Sequence, residues 1–246
     1  MRRVLITGAA AGLGRALALA CRDAGDNVTA VDRDETALAT LSGLETLTCD
    51  LCAPDAATRI AEACAPDTSL ILHCAGISAT GPFEDIPAEV HARVLRVNLV
   101  APIQITRALL ASDRLAPDAT HAFVGSLSTF TGYPGATSYA ASKDGLASFA
   151  RSLHKAGHRS TCIFPGPLRT NHAARYAPDN SDKTVAARMA PEDAAALILR
   201  DLARGRRTII PGAKAKAFAA AGRLLPGPTG RALRKALYEA IDTPKV

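Results

Sequence analysis

Thr7-Gly8-Ala9-Ala10-Ala11-Gly12-Leu13-Gly14 stands between an apolar run, Arg3–Thr7, and a stretch, Gly12–Ala24, in which Leu13, Ala16, Leu17 and Ala20 recur at helical spacing. A strand that passes through closely spaced glycines into a helix makes a tight turn. Its backbone N–H groups then lie open at a helix N-terminus, where a pyrophosphate is favoured. The spacing is GxxxGxG rather than the more general GxGxxG, and a lone glycine triplet is weak evidence beside the alternative of a plain tight turn. Asp32 adds weight: it lies 18 positions beyond Gly14, just after the next β-like run, Asn27–Val31. A carboxylate there accepts hydrogen bonds from adenosine ribose hydroxyls and repels a 2′-phosphate, which favours NAD over NADP. Arg33, the next residue, has the opposite leaning if it pairs with a 2′-phosphate; otherwise it is a solvated surface side chain.

The alternation of short β-like runs with helical periodicity continues outward from this turn. Strands are predicted at Arg3–Thr7, Asn27–Val31, Glu45–Cys49, Ser69–Cys74, His121–Gly125, Thr161–Phe164 and Arg207–Ile210. Helices are predicted at Gly12–Ala24, Thr36–Leu41, Ala56–Cys64, Glu89–Leu110 with a kink at Pro102, Tyr139–Lys155 and Glu192–Ala203. Ser69-Leu-Ile-Leu-His-Cys74 is almost continuously apolar, as a strand covered on both faces must be. The expected fold class is therefore α/β: one doubly wound domain with a parallel sheet of about seven strands and helices on both faces. The one weakly patterned stretch, Asn171–Met189, lies between two well-marked elements, and residues 171–190 are expected to cover a substrate.

Composition narrows the class. Of the 246 residues, 48% are hydrophobic and 21% charged, the balance of a globular chain. The six cysteines (Cys21, Cys49, Cys52, Cys64, Cys74 and Cys162) show no disulfide-framework spacing, and Cys49-Asp-Leu-Cys52 is a CxxC without a second pair, so no metal site is expected. No apolar run is long enough to span a bilayer, and the glycine turn follows Met1 too closely for a signal peptide; the expectation is a cytoplasmic protein. The net charge of +6 is uneven: from Arg200 onward 11 Lys/Arg face 3 Asp/Glu. With no reading motif or aromatic platform beside that charge, no nucleic-acid partner is expected.

Tyr139-Ala-Ala-Ser-Lys143 sets a phenol and an ammonium on one helix face. A free phenol is a poor base at neutral pH, and an ammonium one turn away lowers its pKa toward use in proton exchange. Ser126, at the end of a predicted strand, offers a hydroxyl to a substrate oxygen. Asn98 sits inside the long helix, where an amide is unfavourable unless its side chain has a partner.

From Met1 to about Pro211 the chain resembles the short-chain dehydrogenase/reductase family. The likeness rests on TGxxxGxG at Thr7–Gly14, the Asp50-Leu51 pair, Asn98, Ser126, Tyr139 with Lys143, and Pro165-Gly166 followed by Thr170. The resemblance implies a Rossmann-type domain over residues 1–211 and a hydride passed between NAD(P)(H) and a secondary alcohol or carbonyl compound. Tyr139 would be the general acid/base and Ser126 would bind the substrate oxygen. Lys143 would also hold the nicotinamide ribose, and Asn98 would anchor a water linking Lys143 to solvent. The cofactor would meet Thr7, Gly8, Gly12, Leu13, Gly14, Asp32, Arg33, Asp50, Leu51, Ala75, Gly76, Tyr139, Lys143, Pro165, Gly166 and Thr170, with Asp50 at the adenine and Thr170 at the nicotinamide carboxamide. A homodimer or homotetramer is implied, through the helices around Asn98 and Tyr139.

Three departures stand out. His73-Cys74-Ala75-Gly76 replaces the family's Asn-Asn-Ala-Gly, the stretch Ser152–Pro165 is about one helical turn shorter than is usual so that helix Tyr139–Lys155 ends early, and a basic extension follows residue 211. That extension, 212–246, carries two amphipathic helical segments around Pro226-Gly-Pro228. It is expected to pack on its own subunit or a partner rather than on an anionic membrane surface. The rival to an enzyme is a dinucleotide-sensing or regulatory protein without turnover; the complete Ser126, Tyr139 and Lys143 set argues against it.

Overall fold

The computed structural model describes residues 1–176, 181–239 and 244–245. Strands β1 (Arg3–Thr7), β2 (Asn27–Asp32), β3 (Glu45–Thr48), β4 (Thr68–His73), β5 (Leu115–Val124), β6 (Ser160–Ile163) and β7 (Thr208–Ile209) form one sheet in the order β3-β2-β1-β4-β5-β6-β7. Every pairing is parallel. Parallel strands are covered on both faces, which is why β1 and β4 are continuously apolar. Val4, Ile6, Leu70 and Leu72 pack toward helices α1 (Gly12–Asp23) and, from later in the chain, Pro191–Ala203; Leu5 and Ile71 pack on the opposite side. The chain winds outward through β1, β2 and β3, then returns to place β4 on the other flank of β1. That reversal opens a crevice beyond the carboxyl ends of β1 and β4, where ligands of such sheets bind.

The remaining helices are α2 (Glu35–Leu38), α3 (Ala56–Ala63), α4 (Ala88–Leu95), α5 (Ala101–Leu110), α6 (Thr137–Lys155), α7 (Asn171–Tyr176), α8 (Asp182–Ala187), α9 (Pro191–Ala203), α10 (Ala213–Leu224) and α11 (Pro226–Leu233). The predicted helix Glu89–Leu110 is interrupted one turn earlier than its proline. Between α4 and α5 the residues Arg96–Val100 form a wide π turn, in which Ala101 N–H reaches back to the Arg96 carbonyl. Pro102 has no N–H for the Asn98 carbonyl four residues earlier, so the regular ladder fails at this place.

Two further differences concern late segments. The weakly patterned stretch 171–189 holds α7 and α8; residues 177–180 within it lie outside the described residues. Pro226-Gly-Pro228, read from sequence as a separator, opens α11 instead, because the first turn of a helix leaves its N–H groups unpaired and tolerates proline. α10 buries Ala215 and Ala219 against Phe123, Leu146 and Leu127. A Cβ on Gly222 would lie 2.7 Å from the Phe130 carbonyl oxygen, so only glycine lets α10 sit this close. Arg223 stacks its guanidinium 4.4 Å above the Phe130 ring.

Candidate active site

The glycine turn occupies the crevice mouth. Gly8 and Ala9 donate N–H to the Val31 carbonyl at 2.8 and 3.2 Å, folding the turn over the end of β2. Gly8 has φ +73°, and a Cβ there would lie 2.6 Å from the Ala75 backbone; a Cβ on Gly14 would lie 2.0 Å from the Gly8 carbonyl oxygen. These positions admit glycine alone. Gly12, at φ +53°, faces the Thr170 methyl, which a Cβ would meet at 3.2 Å, so the loop after β6 closes on the turn. Thr7 lies beneath, its Oγ1 accepting Ala75 N–H at 3.4 Å.

Asp32 is held by three backbone amides: Ala10 N–H on Oδ2 at 3.0 Å, and Arg33 and Asp34 N–H on Oδ1 at 2.7 and 3.2 Å. Oδ2 accepts one N–H and keeps a lone-pair site for a ribose hydroxyl, while the other two amides fill Oδ1. Arg33 itself is exposed, and so is Asp50, whose Oδ1 accepts Cys52 N–H at 2.9 Å. Leu13 and Leu51 turn their side chains into the core, leaving only their backbone for a ligand. Pro165 and Gly166 are half-buried beside α10. At Gly76 a Cβ would stand 3.3 Å from Lys143 Nζ, so the floor beside Lys143 is bare backbone. This cradle of glycine, open amides and a fixed carboxylate fits a dinucleotide.

α6 carries Tyr139 and Lys143 into the same crevice. Lys143 is buried, donates to the Val124 carbonyl at 2.8 Å, and lies 5.7 Å from the centre of the Tyr139 ring. Desolvation lowers its pKa to about 8, against the pull of the Cys74 and Cys162 thiols, which favour the charged form. For Tyr139, burial pushes the phenol up from its ordinary range, hydrogen bonding to Ser126 pulls it down, and Tyr133 pushes it up again. The group that lowers the phenol's pKa in this structure is Ser126 rather than Lys143 as expected, and desolvation of a phenolate is the larger effect. Ser126 sits just past β5, its Oγ accepting Ser128 N–H at 3.2 Å.

Asn98 is fully buried in the π turn. Its Oδ1 accepts Ile77 N–H at 2.9 Å, and its Nδ2 donates to the Ile77 carbonyl at 2.8 Å and to Ser142 Oγ at 3.0 Å. The side chain thus clamps the loop after β4 to α6.

His73 takes the family's first Asn position as a packing group. It stacks on Phe123 with ring centres 4.6 Å apart and meets Thr106 Oγ1 at 3.3 Å. Cys74, beside it, has its thiol pushed up to about 12 by burial, which makes it inert.

Sequence reading missed His172. α7 brings its ring to 6.1 Å from that of Tyr139 and 5.0 Å from that of Tyr176, and burial followed by the nearness of Lys143 keeps it neutral, with a pKa of about 4. Tyr133 stands edge-on to Tyr139 at 6.3 Å. Nothing in the pattern of Asn171–Met189 marks a histidine that tertiary packing brings to the phenol.

Comparison with known proteins agrees with this geometry. The family model described as short chain dehydrogenase matches residues 2–181. A short chain dehydrogenase of Pseudocercospora fijiensis is 30% identical over 200 residues, covering 74% of this chain and 64% of that protein. Among curated relatives the match spans from 33% to 72% of their own length. A short chain dehydrogenase from Burkholderia cenocepacia, solved with NADP, superposes with a TM-score of 0.79 at 22% identity, over 95% of this chain and 99% of that one. One from Burkholderia phymatum, solved with NAD, gives 0.75 at 21% identity, over 89% and 92%. At that identity the likeness speaks for the fold.

Proposed function

The chain belongs to the short-chain dehydrogenase/reductase family of oxidoreductases, and from that premise we propose that it moves a hydride between NAD(H) and a secondary alcohol or carbonyl carbon, with Tyr139 as the proton donor and acceptor. The observation that carries the reading is the placement of Tyr139, Lys143 and Ser126 together at the mouth of the glycine-lined crevice. A bound nicotinamide would supply the hydride donor or acceptor.

The chain's own residues do the rest. Ser126 hydrogen-bonds the substrate oxygen as charge develops there, and Tyr139, protonated at neutral pH, delivers its proton to that oxygen during reduction. In the reverse direction the phenol must ionise, and the Lys143 ammonium 5.7 Å from its ring is the charge that favours the phenolate. Asn98 keeps the loop after β4 against α6, and its backbone carbonyl is the acceptor for a water that relays protons from Lys143 to solvent.

Asp32 supports NAD over NADP, since a fixed carboxylate at the end of the second strand repels a 2′-phosphate. Residues 1–211 serve as the catalytic domain, α7 and α8 cover the substrate, and the extension from 212 completes the cleft. A symmetric dimer through α5 and α6 fits the family's habit. Among the described residues no helix is long and apolar enough to cross a membrane. A panel of secondary alcohols, hydroxy acids and ketones, followed by nicotinamide absorbance with both cofactors, tests the reading. Turnover with NAD(H) is expected; cofactor binding without turnover on any of them would favour a sensing protein instead.

A further inference from the structure

Thr80 is buried and joins segments that are remote in sequence. Its N–H donates to the Lys245 carbonyl at 2.9 Å, and its carbonyl accepts Lys245 N–H at 2.7 Å, an isolated antiparallel pair. Its Oγ1 donates to the Tyr176 carbonyl at 3.2 Å, at the end of α7. The next residue, Gly81, donates N–H to the Gly135 carbonyl at 2.8 Å, four positions before Tyr139. A Cβ on Gly81 would lie 3.0 Å from Pro244 Cα, so Pro244 rests directly on the glycine. At this junction a cavity of about 400 Å³ is lined by Gly81, Pro134 and Gly135 together with Arg234 and Tyr238 of the turn after α11.

α7, the Pro134–Gly135 loop and Pro244–Lys245 therefore meet at two residues of the loop that follows β4. α7 is the element that lays His172 against Tyr139. His172 on α7 and Gly135, four positions before Tyr139, thus link this junction to the phenol from two elements.

We propose that Pro244–Lys245 and the Arg234–Tyr238 turn form a specificity-determining wall of the substrate cleft, clipped in place by the Thr80–Lys245 pair, which fixes α7 over Tyr139 and limits how far a substrate extends beyond its reacting carbon. The substrate half of this proposal rests on the oxidoreductase reading; the clip does not. The paired backbone groups are the chain's own, so the clip needs no partner. It also closes without a covalent bond, so it can open to admit substrate.

Two variants test it: a chain ending at Glu239, and Lys245→Pro, which removes the N–H that serves the Thr80 carbonyl. Trypsin cleavage after Arg175, in α7, should rise about fivefold or more in both, since proteolysis follows the population of the open form. Cleavage after Arg151, in α6, should stay at the wild-type rate and serves as the check that the fold is intact. In parallel, the ratio of turnover with benzophenone to turnover with cyclohexanone should rise by about fivefold or more, as a wall that limits size is withdrawn. Unchanged cleavage after Arg175 in Lys245→Pro, with the chain folded, overturns the clip. Increased cleavage with an unchanged ratio overturns the wall. If the full chain turns over no ketone or alcohol, the oxidoreductase reading fails, while the cleavage result still decides the clip.

Discussion

Tyr139 is acted on from two sides: burial raises its pKa and the Ser126 hydroxyl lowers it. Removing Ser126 leaves burial unopposed, so Ser126→Ala should shift the basic limb of the pH–rate profile to higher pH as well as lower kcat. A profile that keeps its position would show that Ser126 does not touch the phenol. Asp32 permits a second prediction at this scale. Its carboxylate is held by three amides, and hydrogen bonds to a charged group contribute about 1.5–3 kcal/mol. Asp32→Ala should therefore weaken NADH binding by roughly ten- to a hundredfold and leave NADPH binding unchanged or tighter. Calorimetric dissociation constants for the two cofactors decide it, and a parallel loss of both would count against a ribose role. Residues in spaced motifs were readable because the chemistry demands those types at those intervals: Tyr139 with Lys143 one turn apart, and Asp32 after the second strand. His172 and Tyr133 were not, since they reach Tyr139 only through the packing of loops that carry no period.

Among the elements, the glycine turn and the π turn behave in opposite ways as sequence signals. The turn is written in residue types, because Gly8 and Gly14 stand where a Cβ would overlap backbone. The strands were legible for a related reason: parallel pairing buries both faces, so β1 and β4 had to be runs of aliphatic residues. The π turn left no such mark. Its hydrophobic phase differs little from that of a helix, and only Pro102 hinted at a break. Pro226-Gly-Pro228 misled in the other direction, since proline at a first helical turn looks the same as proline ending one. The clamp that the π turn supports is testable. Asn98→Ala strands the Ile77 N–H and carbonyl in a partly buried site, and each unpaired group costs about 1–3 kcal/mol. A loss of about 3 kcal/mol in denaturant unfolding is expected, on the assumption that some partners find water. A loss under about 0.5 kcal/mol, the size of an ordinary surface change, would mean the amide holds nothing.

At the scale of the whole molecule, the sheet carries two buried neutral histidines on adjacent strands. His73 and His121 stack 5.9 Å apart, and Phe123 stacks on His73 at 4.6 Å and on His121 at 6.3 Å. Burial lowers the pKa of both, His121 to about 4, with the nearby His158 adding to the effect on His121 and His121 to that on His73. In the unfolded chain these imidazoles protonate near 6.5, whereas in the folded chain they stay neutral. The unfolded state thus binds more protons between about pH 6.5 and pH 4, and stability falls as pH drops through that window. For His121 alone the loss is on the order of 3 kcal/mol at pH 4. His121→Phe should reduce the difference in unfolding free energy between pH 7 and pH 4.5, and an unchanged difference would place the acid sensitivity elsewhere.

Tyr139→Phe removes one oxygen from a residue whose ring packs between Tyr133 and His172, so it tests the proton transfer without disturbing the crevice. Single-turnover reduction should be measured at saturating cofactor, with whichever carbonyl compound the wild-type chain reduces. The rate should fall by on the order of 10²–10⁴-fold, the range for a positioned acid–base group, while the NADH dissociation constant stays within about twofold of wild type, as the proposed cradle of the glycine turn and Asp32 is untouched. A wild-type rate with an unchanged pH profile would contradict the assignment of Tyr139.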